Sequence, residues 1–164
     1  MRSWVVGGAV IETADGGVLL VKNRRRGGSH DWSPPGGVIE VDDGEALLDG
    51  LTREVQEETG LVVTEWQGPI YEIETEAPGL GWQLRVEVFR AITFSGSLLI
   101  DDPDEIVVDA QYVHRDDCPG HLEGNHLWVV EPLLEWLADP WTGSRAFGYR
   151  VDGDDPSALV VSRL

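Results

Sequence analysis

Short apolar segments open the chain. Val5–Glu12 and Val18–Lys22 flank the turn-forming stretch TADGG, a pattern that predicts a β-hairpin. The segments PIYEIETE and WQLRVEVFRAITF read as two further strands around APGLG, and DAQYVH as a short one. Between them the period changes. Leu47, Leu48, Leu51 and Val55 fall at i, i+1, i+4 and i+8, the spacing of a core-facing helical stripe. Asp42 or Asp43 is placed to cap that helix and Gly60 to close it in the left-handed conformation. EPLLEWLAD, with proline near its start and its own apolar stripe, predicts a second helix. The tail AFGYRVDGDDPSALVVSRL predicts a hairpin extension at about 145–163, turning at DGDDP. NRRRGGSHDWSPPGG carries four glycines and two prolines and suits neither helix nor strand; so long a loop is usually functional. The expected class is α/β or α+β, a mixed sheet with helices on its faces, in one domain over 1–164.

Composition narrows the function. With 164 residues, 41% of them hydrophobic, the chain can bury a core without staples. No stretch is long and apolar enough to span a bilayer. The N-terminal apolar run reads as a strand, not a signal peptide. Cys118 stands alone, which excludes an internal disulfide and points to a reducing, cytoplasmic setting. The net charge of -18 argues against duplex nucleic acid or an anionic membrane as partner. A small phosphorylated ligand stays compatible, because a divalent cation inverts the local charge. The few basic residues cluster: Lys22, Arg24, Arg25 and Arg26 make one positive site in an acidic protein.

The stretch REVQEETGL concentrates charge of the opposite sign. Glu54, Glu57 and Glu58 fall within an arc of roughly 100° on a helix. Such carboxylates repel one another unless a cation, a proton or water intervenes. Magnesium or manganese would resolve the conflict, since both take oxygen ligands and bridge carboxylates to phosphates. A solvated acidic face is the other reading, and the helix alone leaves both open.

Here the chain resembles the Nudix hydrolase family (MutT-like). The signature half running from Glu45 through seven residues to Arg53, Glu54, Val55, Gln56, Glu57, Glu58, Thr59, Gly60 and Leu61 is complete. PPGG is similar to the family's entry into the motif, with Gly37 as signature glycine. Seven residues, VIEVDDG, separate Gly37 from Glu45 where the family has five, a two-residue expansion. The resemblance implies an α/β/α sandwich with a mixed sheet between helices. It implies Mg2+ (or Mn2+) held by Glu54, Glu57, Glu58 and the Gly37 carbonyl, with Arg53 and Glu45 paired to brace the loop. It also implies hydrolysis of the pyrophosphate bond of a nucleoside diphosphate linked to another moiety, by a water whose proton goes to a carboxylate. Glu54 and Glu105 are the candidates, with Asp104 behind them.

On the substrate side, Arg24, Arg25 and Arg26 could hold a phosphate through bidentate contacts. Trp32 and Trp82 could stack on a base, whereas Trp4, Trp128 and Trp136 lie in apolar patterns expected in the core. The four histidines show no zinc spacing. Pro78 is placed loosely like a marker of ADP-ribose-cleaving members. A nucleoside triphosphate, an oxidised nucleotide, ADP-ribose or another nucleotide sugar all remain as substrate. The alternative is an inactive nucleotide-binding or regulatory module of the same family. The expected partner is a small nucleotide, and self-association into a homodimer is left open.

Overall fold

The computed structural model describes all 164 residues. β1 (Arg2–Val10), β4 (Gly36–Val38), β5 (Val62–Ala77), β6 (Trp82–Ser95), β8 (Arg145–Asp152) and β9 (Val160–Arg163) form a mixed sheet in the order β4-β1-β6-β5-β8-β9. β1 runs parallel to β6 and β5 parallel to β8; the other neighbours are antiparallel. A second, antiparallel sheet has the order β3-β2-β7, from β3 (His30–Ser33), β2 (Gly17–Arg24) and β7 (Val107–His114).

Helices cover both faces, and the burial pattern explains why. Successive side chains of a strand point to opposite sides. On β2, Val18 and Leu20 join one core cluster while Leu19 and Val21 join another. The first cluster is closed by α3 (Leu127–Ala138) through Trp128, Leu133, Trp136 and Leu137; the second by α1 (Leu47–Thr59) through Leu51 and Val55. The result is the expected α/β/α arrangement, with strands apolar on both sides where two helical layers bury them. A short helix, α2 (Cys118–Leu122), had no counterpart in the sequence pattern.

Several local expectations fail for physical reasons. β1 and β2 stay together only at the turn, where Leu19 N–H donates to Ile11 O and Glu12 bridges Val18; beyond it they diverge into different sheets. Alternation identifies a strand but not its partner. The glycine- and proline-rich loop contains β3 and β4, too short to leave a periodic signal. Asp42 and Asp43 do not cap α1. They belong to a 3-10 turn (Val41–Asp43) closed by left-handed Gly44, and the helix starts at Leu47 with Ala46 at its cap. Leu48 accordingly points outward, 38% exposed. At the other end Gly60, φ 82°, closes the helix by donating to Gln56 O, as expected. α3 begins four residues ahead of EPLLEWLAD, so Pro132 is inside it. Trp128 and Trp136 are buried, but Trp4 lies half-buried against Trp82, which packs on Trp128 in turn. The tail hairpin forms, and β8 joins it to the main sheet along β5.

Candidate active site

β4 and α1 are brought together by glycines. Gly36, φ 154°, lies so close to the Gly7 carbonyl that any side chain would collide with it. This closeness lets β4 pair with β1 at Gly8–Gly36 and Gly7–Gly37. At Gly37 a Cβ would lie 2.6 Å from Glu54 Cδ, so the loop backbone rests directly on that carboxylate. Gly36 N–H donates to Glu58 Oε1 at 3.0 Å. The backbone at Gly36 and Gly37 thus lies against the helix.

Arg53 organises the acidic face. Its Nε and Nη2 donate to the two oxygens of Glu45, at 2.9 and 3.1 Å, in a fork-to-fork pair. Its Nη1 donates to Glu54 at 3.1 Å and to Glu57 at 3.2 Å. Glu45 also accepts from Glu40 N–H, 3.0 Å. The Arg53 guanidinium and that amide hold the Glu45 carboxyl down to about 2. Gly50, a poor residue for mid-helix, is explained here: a Cβ would stand 2.7 Å from Glu45 Oε1 and 2.9 Å from Ile39 Cδ1.

Glu58 lacks such a partner. It is 6% exposed, and burial pushes its carboxyl up to about 9, against the pull of the Gly36 amide; charge on Glu54, Asp102 and Glu57 adds to the rise. Glu54, half-buried, is raised by burial too, with Arg53 opposing and Glu57 and Asp104 reinforcing. Uncompensated carboxylate oxygens beside a backbone loop suit a hard divalent cation. Arg53 links Glu54 to Glu57 in this arrangement, so the three carboxylates do not yet converge on one point, and a cation would have to draw them in by taking over contacts that Arg53 now makes.

These groups border a cavity of about 750 Å³. Glu54, Glu58, Asp102 and Asp104 form its acidic wall; Tyr71, Ile73, Leu84, Val86 and Trp128 its apolar one. Asn23, Arg25, Asp31, Asn125 and His126 supply further polar edges. His126 stacks flat on Trp128, ring centroids 4.2 Å apart.

The NUDIX domain model matches residues 1–137 of the chain. The chain belongs to the Nudix family. With membership comes the expected class, a pyrophosphohydrolase. No curated protein matches in sequence. Among solved structures, a MutT Nudix hydrolase from Burkholderia pseudomallei is 24% identical with a TM-score of 0.66, covering 82% of this chain and 98% of that one. A mutator MutT protein from Bacillus halodurans is 20% identical at 0.65, covering 98% and 97%. An ADP-ribose pyrophosphatase from Streptococcus suis is 21% identical at 0.54, covering 87% and 98%.

Within this Nudix domain the sequence candidates fall into two groups. Gly37, Glu45, Arg53, Glu54, Glu57 and Glu58 are drawn together as described. Of the arginines only Arg25 lines the cavity, held to Asp31 by bonds of 2.7 and 2.9 Å. Arg24 donates to the Glu105 carbonyl, and Arg26 is exposed away from the lining. Trp32 packs edge-on against His121 and its carbonyl accepts from Asn125, so its ring does not face the cavity. Glu105 is exposed at φ 57° and outside the lining, whereas Asp102 and Asp104 of the same loop are inside it. Asp102 accepts from the backbone N–H of Asp104, Ile106 and Val107 and so fixes the loop's shape. Asn23, Asp31, Asn125 and His126 escaped the sequence reading. Their wall is assembled from β2, β3 and the approach to α3, with no spacing to announce it.

Proposed function

We propose that the chain hydrolyses the pyrophosphate bond of a nucleoside diphosphate linked to another moiety, with Mg2+ or Mn2+ as cofactor. Buried Glu58, its carboxylate facing other carboxylates at the cavity wall, is the observation that carries this reading. Glu54, Glu57, Glu58 and the Gly37 carbonyl would hold the cation. Bound there, it would neutralise phosphate oxygens and acidify a water.

The protein's own groups divide the remaining work. Arg53 and Glu45 fix α1 against the loop so that Gly36 and Gly37 keep their distance from the carboxylates. Arg25, in the cavity lining, would hold a distal phosphate. The proton of the attacking water goes to Glu54, whose raised affinity for protons suits a base, or to Asp104, which reaches the same cavity. Glu105, the other candidate, lies outside the cavity lining. The apolar wall with stacked His126 and Trp128 offers room for a base or sugar. The named neighbours cover MutT proteins and an ADP-ribose pyrophosphatase, so nucleoside triphosphates and ADP-ribose are both substrates to try. A cytoplasmic setting completes the proposal. Incubating the protein with a nucleotide panel, including oxidised nucleotides and ADP-ribose, and measuring phosphate and monophosphate release is the test. Release from none of them would leave a binding module.

A further inference from the structure

A second cleft, of about 470 Å³, shares no lining residue with the catalytic cavity. It lies between the irregular part of β5, at Gln67–Ile70, and the stretch Pro140–Gly143, which follows the residues matched by the family model. Arg90 of β6, Glu12 and Trp136 of α3 complete it.

Its charged lining is a single ion pair, Glu12 with Arg90. Glu12 accepts from Arg90 Nε at 2.9 Å and from Arg115 Nη2 at 3.0 Å, so one carboxylate answers two guanidinium groups. Arg115 itself lies outside the cleft lining. Only Nε of Arg90 is engaged; its Nη edge is free, and the side chain is 43% exposed. The other polar groups each offer a donor. The Gln67 amide and Thr142 hydroxyl, both exposed, make no hydrogen bond, and Trp136, 5% exposed, has an indole N–H with no partner. Trp141 is fixed by its own bond to Ile70 O, 2.7 Å, so the aromatic wall is rigid. Donors beside the free edge of Arg90, with apolar Ile70, Pro69 and Pro140 around them, suit an anion with an organic body.

We propose that this cleft binds a small organic oxyanion, a carboxylate or phosphate monoester, on the free edge of Arg90. The bidentate fork of arginine matches either group. The cleft holds more than a bare ion, so an organic body adds affinity through the Pro69, Ile70 and Pro140 side.

Indole N–H resonances report on the site directly, without turnover. Adenosine monophosphate, benzoate and inorganic phosphate are titrated separately into the 15N-labelled wild type, with no divalent cation present. Saturable shifts of the Trp136 and Trp141 indole signals are expected, tighter by at least about 10-fold for an organic anion than for inorganic phosphate. Benzoate against adenosine monophosphate decides between carboxylate and phosphate ester. Arg90→Gln should abolish the shifts. Thr142→Val, on an exposed loop, should weaken them with the fold undisturbed. No saturable shift with any of the three, or equal shifts in wild type and both variants, overturns the proposal. Absence of nucleotide turnover would leave it untouched.

Discussion

Gly36 N–H donates to the Glu58 carboxylate, joining the backbone of β4 to the most deeply buried acid of α1. One amide is too little to keep that acid ionised in so dry a place. The Glu58 carboxyl therefore retains its proton up to about 9 in the metal-free fold.

The pH dependence of stability follows. Unfolded, Glu58 releases its proton near the ordinary carboxylate value, about 4.3; folded, it holds on far longer. Between those values the unfolded state binds fewer protons, so stability falls as pH rises. Glu45 acts in the opposite sense at the acid end, where stability is lost as pH falls toward about 2. Thermal unfolding of the metal-free protein should show a falling Tm from about pH 5 to about 9. Glu58→Gln, which keeps an acceptor for Gly36, should flatten that slope.

Gly50→Ala reverses a general rule. Alanine ordinarily favours a helix interior by about 1 kcal/mol over glycine. Here the added methyl meets Glu45, which Arg53 already holds at both oxygens, and Ile39. No gain in Tm is expected, together with a turnover loss of about 10-fold or more. A more stable, fully active variant would show that the Glu45–Arg53 pair tolerates displacement.

Arg53→Lys keeps the charge and loses the fork. Four bonds to three carboxylates cannot be made by one ammonium. The fold should survive on its two cores, while kcat should drop by about 10- to 100-fold. Circular dichroism and steady-state kinetics separate the two effects.

Gly37→Ala places a methyl against Glu54, within 2.6 Å of its carboxyl carbon. Displacing that carboxylate should lower kcat/KM by about 100-fold with little change in Tm. Wild-type kinetics would remove Gly37 and Glu54 from the site together.

The parts of the molecule legible from sequence were those where one local rule acts alone. The Gly60 stop and the core positions Leu51 and Val55 follow from spacing along a single helix, and the Arg53–Glu45 pair from the family resemblance. Reading failed where two rules competed. Asp42 and Asp43 have the chemistry of caps, but Gly44 closes their turn before the helix begins, which rotates Leu48 out to solvent. β3 and β4 are set by partners on β2 and β1, and their glycines and prolines announce only a loop. Around the cavity, Glu54 and Glu58 were visible because they share a helix. Asn23, Asp102 and Trp128 meet only through the fold. Glu105 shows the limit within one loop: its acid was apparent, but only the turn fixed by Asp102 decides that Asp104, not Glu105, reaches the cavity.

The acidic face of α1 is held to serve a divalent cation in pyrophosphate hydrolysis, and turnover of the nucleotide panel by wild type and Glu57→Gln, with magnesium and with chelator, tests this most directly. At least one nucleotide should be cleaved by the wild type with magnesium only, and Glu57→Gln should lose about 100-fold or more in rate while remaining folded. Cleavage unaffected by chelator, or wild-type rates from Glu57→Gln, would contradict it.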